Sequence, residues 1–115
     1  MRKIAITMLA LVCVVTLQNC GPSKKAASAT VTLSYEKDIA PMMLNSCAPC
    51  HFPPDGKKEA LNNYETVKNH IDDVIARVKL PADDIKYMPF KSKKPALTDS
   101  MIVVLEQWKS QNMPQ

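Results

Sequence analysis

The feature that most constrains this chain is the run Cys47-Ala48-Pro49-Cys50-His51, called the CAPCH turn below. Side chains at positions i and i+3 of a helical turn lie on the same side, so both thiols and the imidazole next to them can serve one group. Such a run supports three chemistries: a metal site, a redox-active dithiol, or attachment of a cofactor to the chain. The rest of the sequence has to decide between them.

The N-terminus has the pattern of a secretory signal. Arg2 and Lys3 give it a positive start, and residues 4–17 are apolar apart from two threonines. This apolar run is shorter than the about 20 residues that a membrane-spanning helix needs, and it fits the apolar part of a signal peptide. We therefore expect residues 1–19 to be a signal peptide and the mature protein to be exported to the periplasmic side of a bacterial membrane.

Cys20 directly follows this region, with Leu17 three positions before it, as in the cleavage box of bacterial lipoproteins. The match is partial, because Asn19 stands where a small residue is usual, and an alternative cleavage site ends at Ala29. We expect Cys20 to carry lipid, since an anchor of two or more acyl chains attaches a protein stably to a membrane. Residues 20–33 would then form the lipid anchor and a flexible tether.

The cysteine count leaves no structural disulfide. Cys13 lies within the signal and Cys20 is assigned to lipid, so the mature domain retains Cys47 and Cys50. A bond between these two would close a loop too short to remove much chain entropy. A small exported domain of this kind needs another source of stability.

The charge of the chain excludes one class of partner. The net charge of the chain is +4, and it falls further when Arg2 and Lys3 are removed with the signal. This charge is too small for a nucleic-acid-binding surface. A local cluster of Lys91, Lys93 and Lys94 remains. It is either a docking patch for an acidic partner or a solvated loop, and the sequence leaves both open.

Three amphipathic segments predict an all-α domain over residues 34–115. Their apolar faces consist of Ile39, Met42, Met43 and Cys47; of Tyr64, Val67, Ile71, Val74, Ile75 and Val78; and of Met101, Leu105 and Trp108. Asn63 and Thr98 are predicted N-caps, and Pro81 ends the second helix. Pro41 either opens the first helix or kinks a longer one that starts at Ser34. Long loops join the helices.

The predicted core is thin. The chain has three tyrosines, two phenylalanines and one tryptophan, and a domain of this size is only marginally stabilised by packing. A large flat cofactor would fill the gap. Because C-x-x-C-H is also the attachment signature of c-type haem, we expect Cys47 and Cys50 to bond one haem and His51 to bind its iron.

The run SYEKDIAPMMLNSCAPCH, a later Met-Pro and a C-terminal amphipathic helix together resemble class I monohaem cytochromes c, in particular exported bacterial ones. The resemblance covers about residues 34–112. It implies a small cytochrome c-like domain of about three helices with long loops around one covalent haem c. It also implies electron transfer as the task, and a methionine as the second axial ligand of the iron.

Met88, in the run Tyr87-Met88-Pro89-Phe90, matches that second ligand. It lies in an irregular segment, where a side chain can be directed at a metal. The methionines at 42, 43 and 101 are assigned to the core, and the one at 113 to the tail. His70 is the rival ligand, but it lies mid-helix and off the strongest apolar face, which favours a surface position. A methionine ligand would raise the reduction potential relative to a second histidine.

Three alternatives remain beside the electron carrier. A zinc site could use Cys47, Cys50, His51 and His70, although adjacent ligands at 50 and 51 suit one tetrahedron poorly. A thioredoxin-like dithiol lacks its βαβ setting. A haem enzyme or a gas or peroxide sensor would need an open sixth position on the iron. We expect a non-enzymatic one-electron carrier whose partners are the redox proteins of an electron-transport chain.

Overall fold

The first helix begins with a wide turn. In the computed structural model, which describes residues 31–115, Tyr35–Ile39 form a π-helical turn that runs directly into helix α1 (Ala40–Cys47). The Ser34 hydroxyl caps the turn by accepting a backbone N–H at 3.3 Å. Pro41 lies in the first turn of α1, at the junction with the π-helical turn, where it has no N–H to donate to the preceding carbonyls. Both expectations for this segment are therefore met in part, since helical structure starts after Ser34 and Pro41 opens its α-helical section.

Helix α2 (Tyr64–Val78) has a complete N-terminal cap. The Asn63 side chain accepts the backbone N–H of Thr66 at 3.0 Å, and the Thr66 hydroxyl accepts that of Asn63 at 3.3 Å. This reciprocal pair satisfies two donors at the start of the helix. The predicted cap is confirmed, and the predicted apolar face is buried at Val67, Ile71, Val74 and Val78.

Helix α3 (Asp99–Ser110) starts at the predicted cap, because the Thr98 hydroxyl accepts the backbone N–H of Met101 at 3.3 Å. Its face toward the core buries Leu105 and Trp108 completely. The helix packs against α2 and against the Tyr35–Ile39 turn. A single 3₁₀ turn, Phe90–Ser92, lies in the connection between α2 and α3.

Three of the six aromatic residues lie where these elements meet. The rings of Tyr35, Tyr64 and Trp108 have centroids 5.7 to 6.3 Å apart, within the range of favourable aromatic pairs. The C-terminal tail closes over them, since Trp108 Nε1 and the Tyr35 N–H both donate to the Pro114 carbonyl, at 2.7 and 3.0 Å. Tyr35, Tyr64 and Trp108 thus form one aromatic cluster, which the C-terminal tail covers.

The segment before the first helix also belongs to the domain. Leu33 is buried in the core, and its N–H donates to the Gln111 side chain at 2.9 Å. The Gln111 amide in turn donates to the Val31 carbonyl at 2.9 Å. The compact unit therefore begins at Val31. Residues 31–33, which the sequence-based boundary assigns to the tether, contact Gln111 directly after helix α3.

Within residues 31–115 the domain is all-α, as expected: three α-helices, the two short turns described above, and no strand. In that same part of the chain, no helix is both long and apolar enough to span a bilayer. The predicted signal peptide, residues 1–19, and the predicted lipid site, Cys20, lie outside the described residues, as does most of the predicted tether.

Candidate functional site

The CAPCH turn extends the end of α1. The backbone N–H of His51 donates to the carbonyl of Cys47 at 3.1 Å, and that of Phe52 donates to Pro49 at 2.9 Å. Cys47 is partly buried and Cys50 is exposed, and both are free thiols. The two cysteines and the histidine therefore lie on one hydrogen-bonded turn. This turn is not helical, because Ala48, directly after the end of α1, has an extended backbone.

A loop of residues 52–61, called the His51 loop below, folds back over this turn. Its backbone donates from Lys58 to the Cys50 carbonyl at 3.2 Å and from Leu61 to the His51 carbonyl at 2.9 Å. Gly56 makes the close approach possible, because a Cβ at this position would overlap the backbone oxygens of Pro49 and Cys50. Backbone contacts thus hold the His51 loop against the CAPCH turn, and a change of side-chain rotamer cannot relieve them.

The same loop orients the His51 ring. Its Nδ1 lies 2.6 Å from the backbone oxygen of Glu59. A carbonyl can only accept, so Nδ1 carries a proton, and in the neutral ring Nε2 is the nitrogen with the lone pair. This is the state in which histidine binds metals, and a hydrogen bond at the far nitrogen fixes the ring and raises its basicity.

The CAPCH turn opens onto a cavity of about 770 Å³. Its wall contains Cys47, Cys50 and His51 together with Met88 from the connection between α2 and α3. The apolar residues of the wall are Leu61, Val74, Val78, Ile85, Pro89, Phe90 and Leu97. Its charged residues are Lys58, Glu59, Asp73, Arg77, Lys93 and Lys94. The four residues predicted to hold a haem therefore line one cavity that is mainly apolar with a charged margin.

Met88 differs from the other methionines of the described residues. It is half-buried and lines the cavity, and its backbone N–H donates to the Arg77 carbonyl at 3.3 Å. Met42 and Met43 are buried in the core, as predicted. The methionines at 101 and 113 pack against the core and do not contribute to the cavity wall.

His70 lies at the edge of the same cavity. Its side chain is 35% exposed, and its Nε2 lies 3.3 Å from a carboxylate oxygen of Glu59. The expected surface position is thus only partly right, because the ring also contributes to the cavity wall. Sequence reasoning missed Glu59 altogether, since its contribution to His51 comes from a backbone oxygen that any residue could supply.

The two thiols of the CAPCH turn have different surroundings. Cys47 lies 3.8 Å, sulfur to sulfur, from the buried Met43, and burial raises the pKa of the Cys47 thiol to about 11. Cys50 faces solvent. The hydroxyl of Ser46, beside Cys47, is buried without a hydrogen-bond partner. The Cys47 thiol is consequently the more buried of the two, and burial favours its neutral form.

The donor set fits a covalently attached haem. Two free thiols three residues apart, an imidazole with its Nδ1 already engaged and a thioether share one cavity, whose volume lies in the range of about 300–1,000 Å³ usual for cofactor sites. Zinc fits less well. Across residues 31–115, no three or more His, Cys, Asp or Glu side chains are grouped closely enough to hold a metal ion, so Cys47, Cys50, His51 and His70 do not form a tetrahedral set.

Comparisons with protein-family models, with curated proteins and with solved structures found no match to this chain. They neither support nor contradict the resemblance to class I cytochromes c.

Proposed function

We propose that this protein is an exported one-electron carrier that holds a single covalent haem c. The observation that carries the proposal is the shared cavity of Cys47, Cys50, His51 and Met88, together with the hydrogen bond that leaves His51 Nε2 free. The residues belong to the turn that follows α1 and to a distant connection. Their convergence on one cavity is therefore a property of the fold and not only of the motif.

Each residue has a defined part in this proposal. Cys47 and Cys50 would each form a thioether bond to one vinyl group of the porphyrin, and His51 and Met88 would bind the iron. When bound, the haem supplies an iron that changes between Fe(III) and Fe(II) by gaining or losing one electron. The Glu59 carbonyl keeps His51 oriented, and a Met88 thioether favours Fe(II) more than a second imidazole would.

The position of Met88 favours a carrier over an enzyme or a sensor. A haem enzyme or a gas sensor needs an exchangeable sixth position, and here a thioether lines the cavity that also contains His51. The apolar lining formed by α2 and by the connections on either side of it would restrict water around the ring. An open sixth position remains the alternative that the experiment below must exclude.

The setting of the domain rests on the sequence. The signal-like residues 1–19 and the cysteine at position 20 support a lipid-anchored protein on the periplasmic side of a bacterial membrane. Such an anchor would hold the domain near the redox proteins with which it exchanges electrons. The mass of the mature chain tests this part: a chain that starts after Ala29 would contradict the anchor.

The decisive experiment is the optical spectrum of the protein produced together with a haem-attachment system. We expect haem bands that stay with the polypeptide after denaturation, and in the oxidised form the methionine–iron charge-transfer band. A Cys47→Ala/Cys50→Ala variant is the matched control, and its haem should be extractable. A chain without covalent haem would overturn the proposal, whereas covalent haem that binds carbon monoxide rapidly would favour the sensor or enzyme.

A further inference from the structure

We infer that His70 is a positioning residue for His51 and acts through Glu59. Glu59 contacts both histidines: its backbone oxygen accepts from His51 Nδ1 at 2.6 Å, and its carboxylate lies 3.3 Å from His70 Nε2. The inference rests on the proposed function, because it assigns His70 a role toward the histidine that would bind iron. It also accounts for the presence of a second histidine at the cavity without making it a ligand.

The pair joins a loop to a rigid element. Glu59 is exposed and lies near the end of the His51 loop, whereas His70 lies in the second turn of α2, just after the capping box. Neighbouring loop residues are fixed by their own hydrogen bonds, at Lys58 and Leu61. The contact to His70 adds a side-chain anchor at the one loop residue whose carbonyl holds the His51 ring.

This anchor should affect the iron ligand more than the fold. The side chain of Glu59 is 67% exposed and that of His70 35%, and exposed pairs of this kind add little to global stability. The hydrogen bond at a ligating histidine, in contrast, sets the orientation of the ring and its basicity. A looser Glu59 carbonyl would make His51 a weaker donor, which disfavours Fe(III) and raises the reduction potential.

The test uses the complete haem protein and two variants of one residue. His70→Ala removes the contact to Glu59, whereas His70→Gln keeps a side-chain N–H that can donate to the carboxylate. We expect His70→Ala to speed the exchange of the His51 Nδ1 proton with solvent at least tenfold, measured by NMR of the reduced protein. We expect the reduction potential to rise by at most about 59 mV, which corresponds to a tenfold change in the equilibrium constant of a one-electron reduction. His70→Gln should remain close to the parent protein in both measurements.

A purely electrostatic role of His70 predicts a different pattern. Loss of a protonated imidazole would lower the potential, His70→Gln would behave like His70→Ala, and the effect would vanish above the pH range in which histidines titrate. Positioning predicts an effect that persists at pH 8.5. A double-mutant cycle adds a second criterion, because Glu59→Ala, His70→Ala and the double variant should share one Nδ1 exchange rate if the two residues act as a unit.

Asp72→Ala is the matched control. Asp72 also lies on α2 and forms an exposed pair, with Lys109 of α3, but it does not contact the His51 loop. It should leave the exchange rate unchanged. The inference is overturned if His70→Ala retains the parent exchange rate and potential while haem is covalently attached. Failure of haem attachment in the parent protein would instead overturn the proposed function, and with it this inference.

Discussion

The two connections that contribute to the cavity are built differently. The His51 loop is bonded through its backbone to the CAPCH turn, and its glycine fits against two backbone oxygens. The connection of residues 81–96, called the Met88 segment below, is held mainly by local turns, such as those from Asp84 to Pro81 and from Tyr87 to Asp84, each at 3.0 Å. The side that would attach the haem is thus held by hydrogen bonds between two segments, the His51 loop and the CAPCH turn. The side that would supply the second ligand is held mostly by hydrogen bonds within the Met88 segment itself.

Backbone strain occurs only on the second of these sides. Lys91 and Ser92 both have φ values of 52°, in the left-handed region that residues with a Cβ rarely adopt. Residues 81–86 of the Met88 segment are all exposed. Few buried contacts and a strained turn characterise regions that open at low free-energy cost. Attachment and tuning of the cofactor would therefore depend on separate parts of this small domain.

The largest effect is expected from Gly56→Ala in the His51 loop. The added methyl group would overlap backbone oxygens of Pro49 and Cys50, which cannot rotate away. We expect a loss of roughly 3 kcal/mol in the free energy of unfolding, the upper end of typical overpacking costs, and a lower yield of attached haem. Denaturant unfolding of the haem protein and its haem content measure both quantities.

Lys57→Ala is the control for this prediction, since Lys57 is the exposed neighbour of Gly56. It should leave stability and haem content near those of the parent. Equal stability of the Gly56→Ala protein and the parent would show that the His51 loop can move away from the CAPCH turn. The contrast between a fixed and an adjustable side of the cavity would then be wrong.

A smaller effect, confined to the iron, is expected from Met88→Ala. Loss of the thioether should lower the potential by on the order of 100 mV, within the about 0.8 V range that axial ligands span, and should remove the methionine–iron charge-transfer band. Covalent attachment should persist, because the CAPCH turn is untouched. Voltammetry and the optical spectrum of the oxidised protein provide the measurement.

Met101→Ala is the control for Met88→Ala. Met101 is also half-buried, but it packs against the core from α3 and does not line the cavity. Its removal should cost packing energy without changing the potential. A Met88→Ala protein that retains the parent potential and charge-transfer band would contradict the ligand assignment.

The sequence predicts the helices well because their signals are local. The caps at Asn63 and Thr98 each involve residues three positions apart, and the buried face of α2 follows directly from its periodicity. The hydrogen bonds from the Tyr35 N–H and the Trp108 ring to the Pro114 carbonyl could not be predicted. That contact depends on where a tail folds and uses a backbone atom that every residue has.

The candidate site shows the same division. The spacing within the CAPCH turn and the placement of Met88 next to a proline are visible in the sequence, and the structure brings all four residues to one cavity. The Glu59 carbonyl and the close approach at Gly56 are properties of the folded backbone. Haem attachment itself stays a prediction.

The last prediction requires no change to the fold and compares the two thiols of the CAPCH turn. With its pKa raised to about 11 by burial, Cys47 carries a thiolate in only roughly one molecule per thousand at pH 8. An ordinary cysteine, with a pKa of about 8.5, carries one in roughly a quarter. We therefore expect iodoacetamide to alkylate the Cys47 thiol of the folded, haem-free chain about two orders of magnitude more slowly than an unhindered thiol. Its rate should rise about tenfold per pH unit from pH 8 towards pH 11.

Peptide mass spectrometry separates the two sites, and Cys50 in a Cys47→Ala variant gives the reference rate for the exposed thiol. Unfolding in urea should make the two cysteines react alike, because the difference comes from burial and not from their neighbours in sequence. Equal rates in the folded chain would contradict the burial of the Cys47 thiol. They would also mean that the CAPCH turn opens in the haem-free chain, so that this side of the cavity would be fixed only once the cofactor is attached.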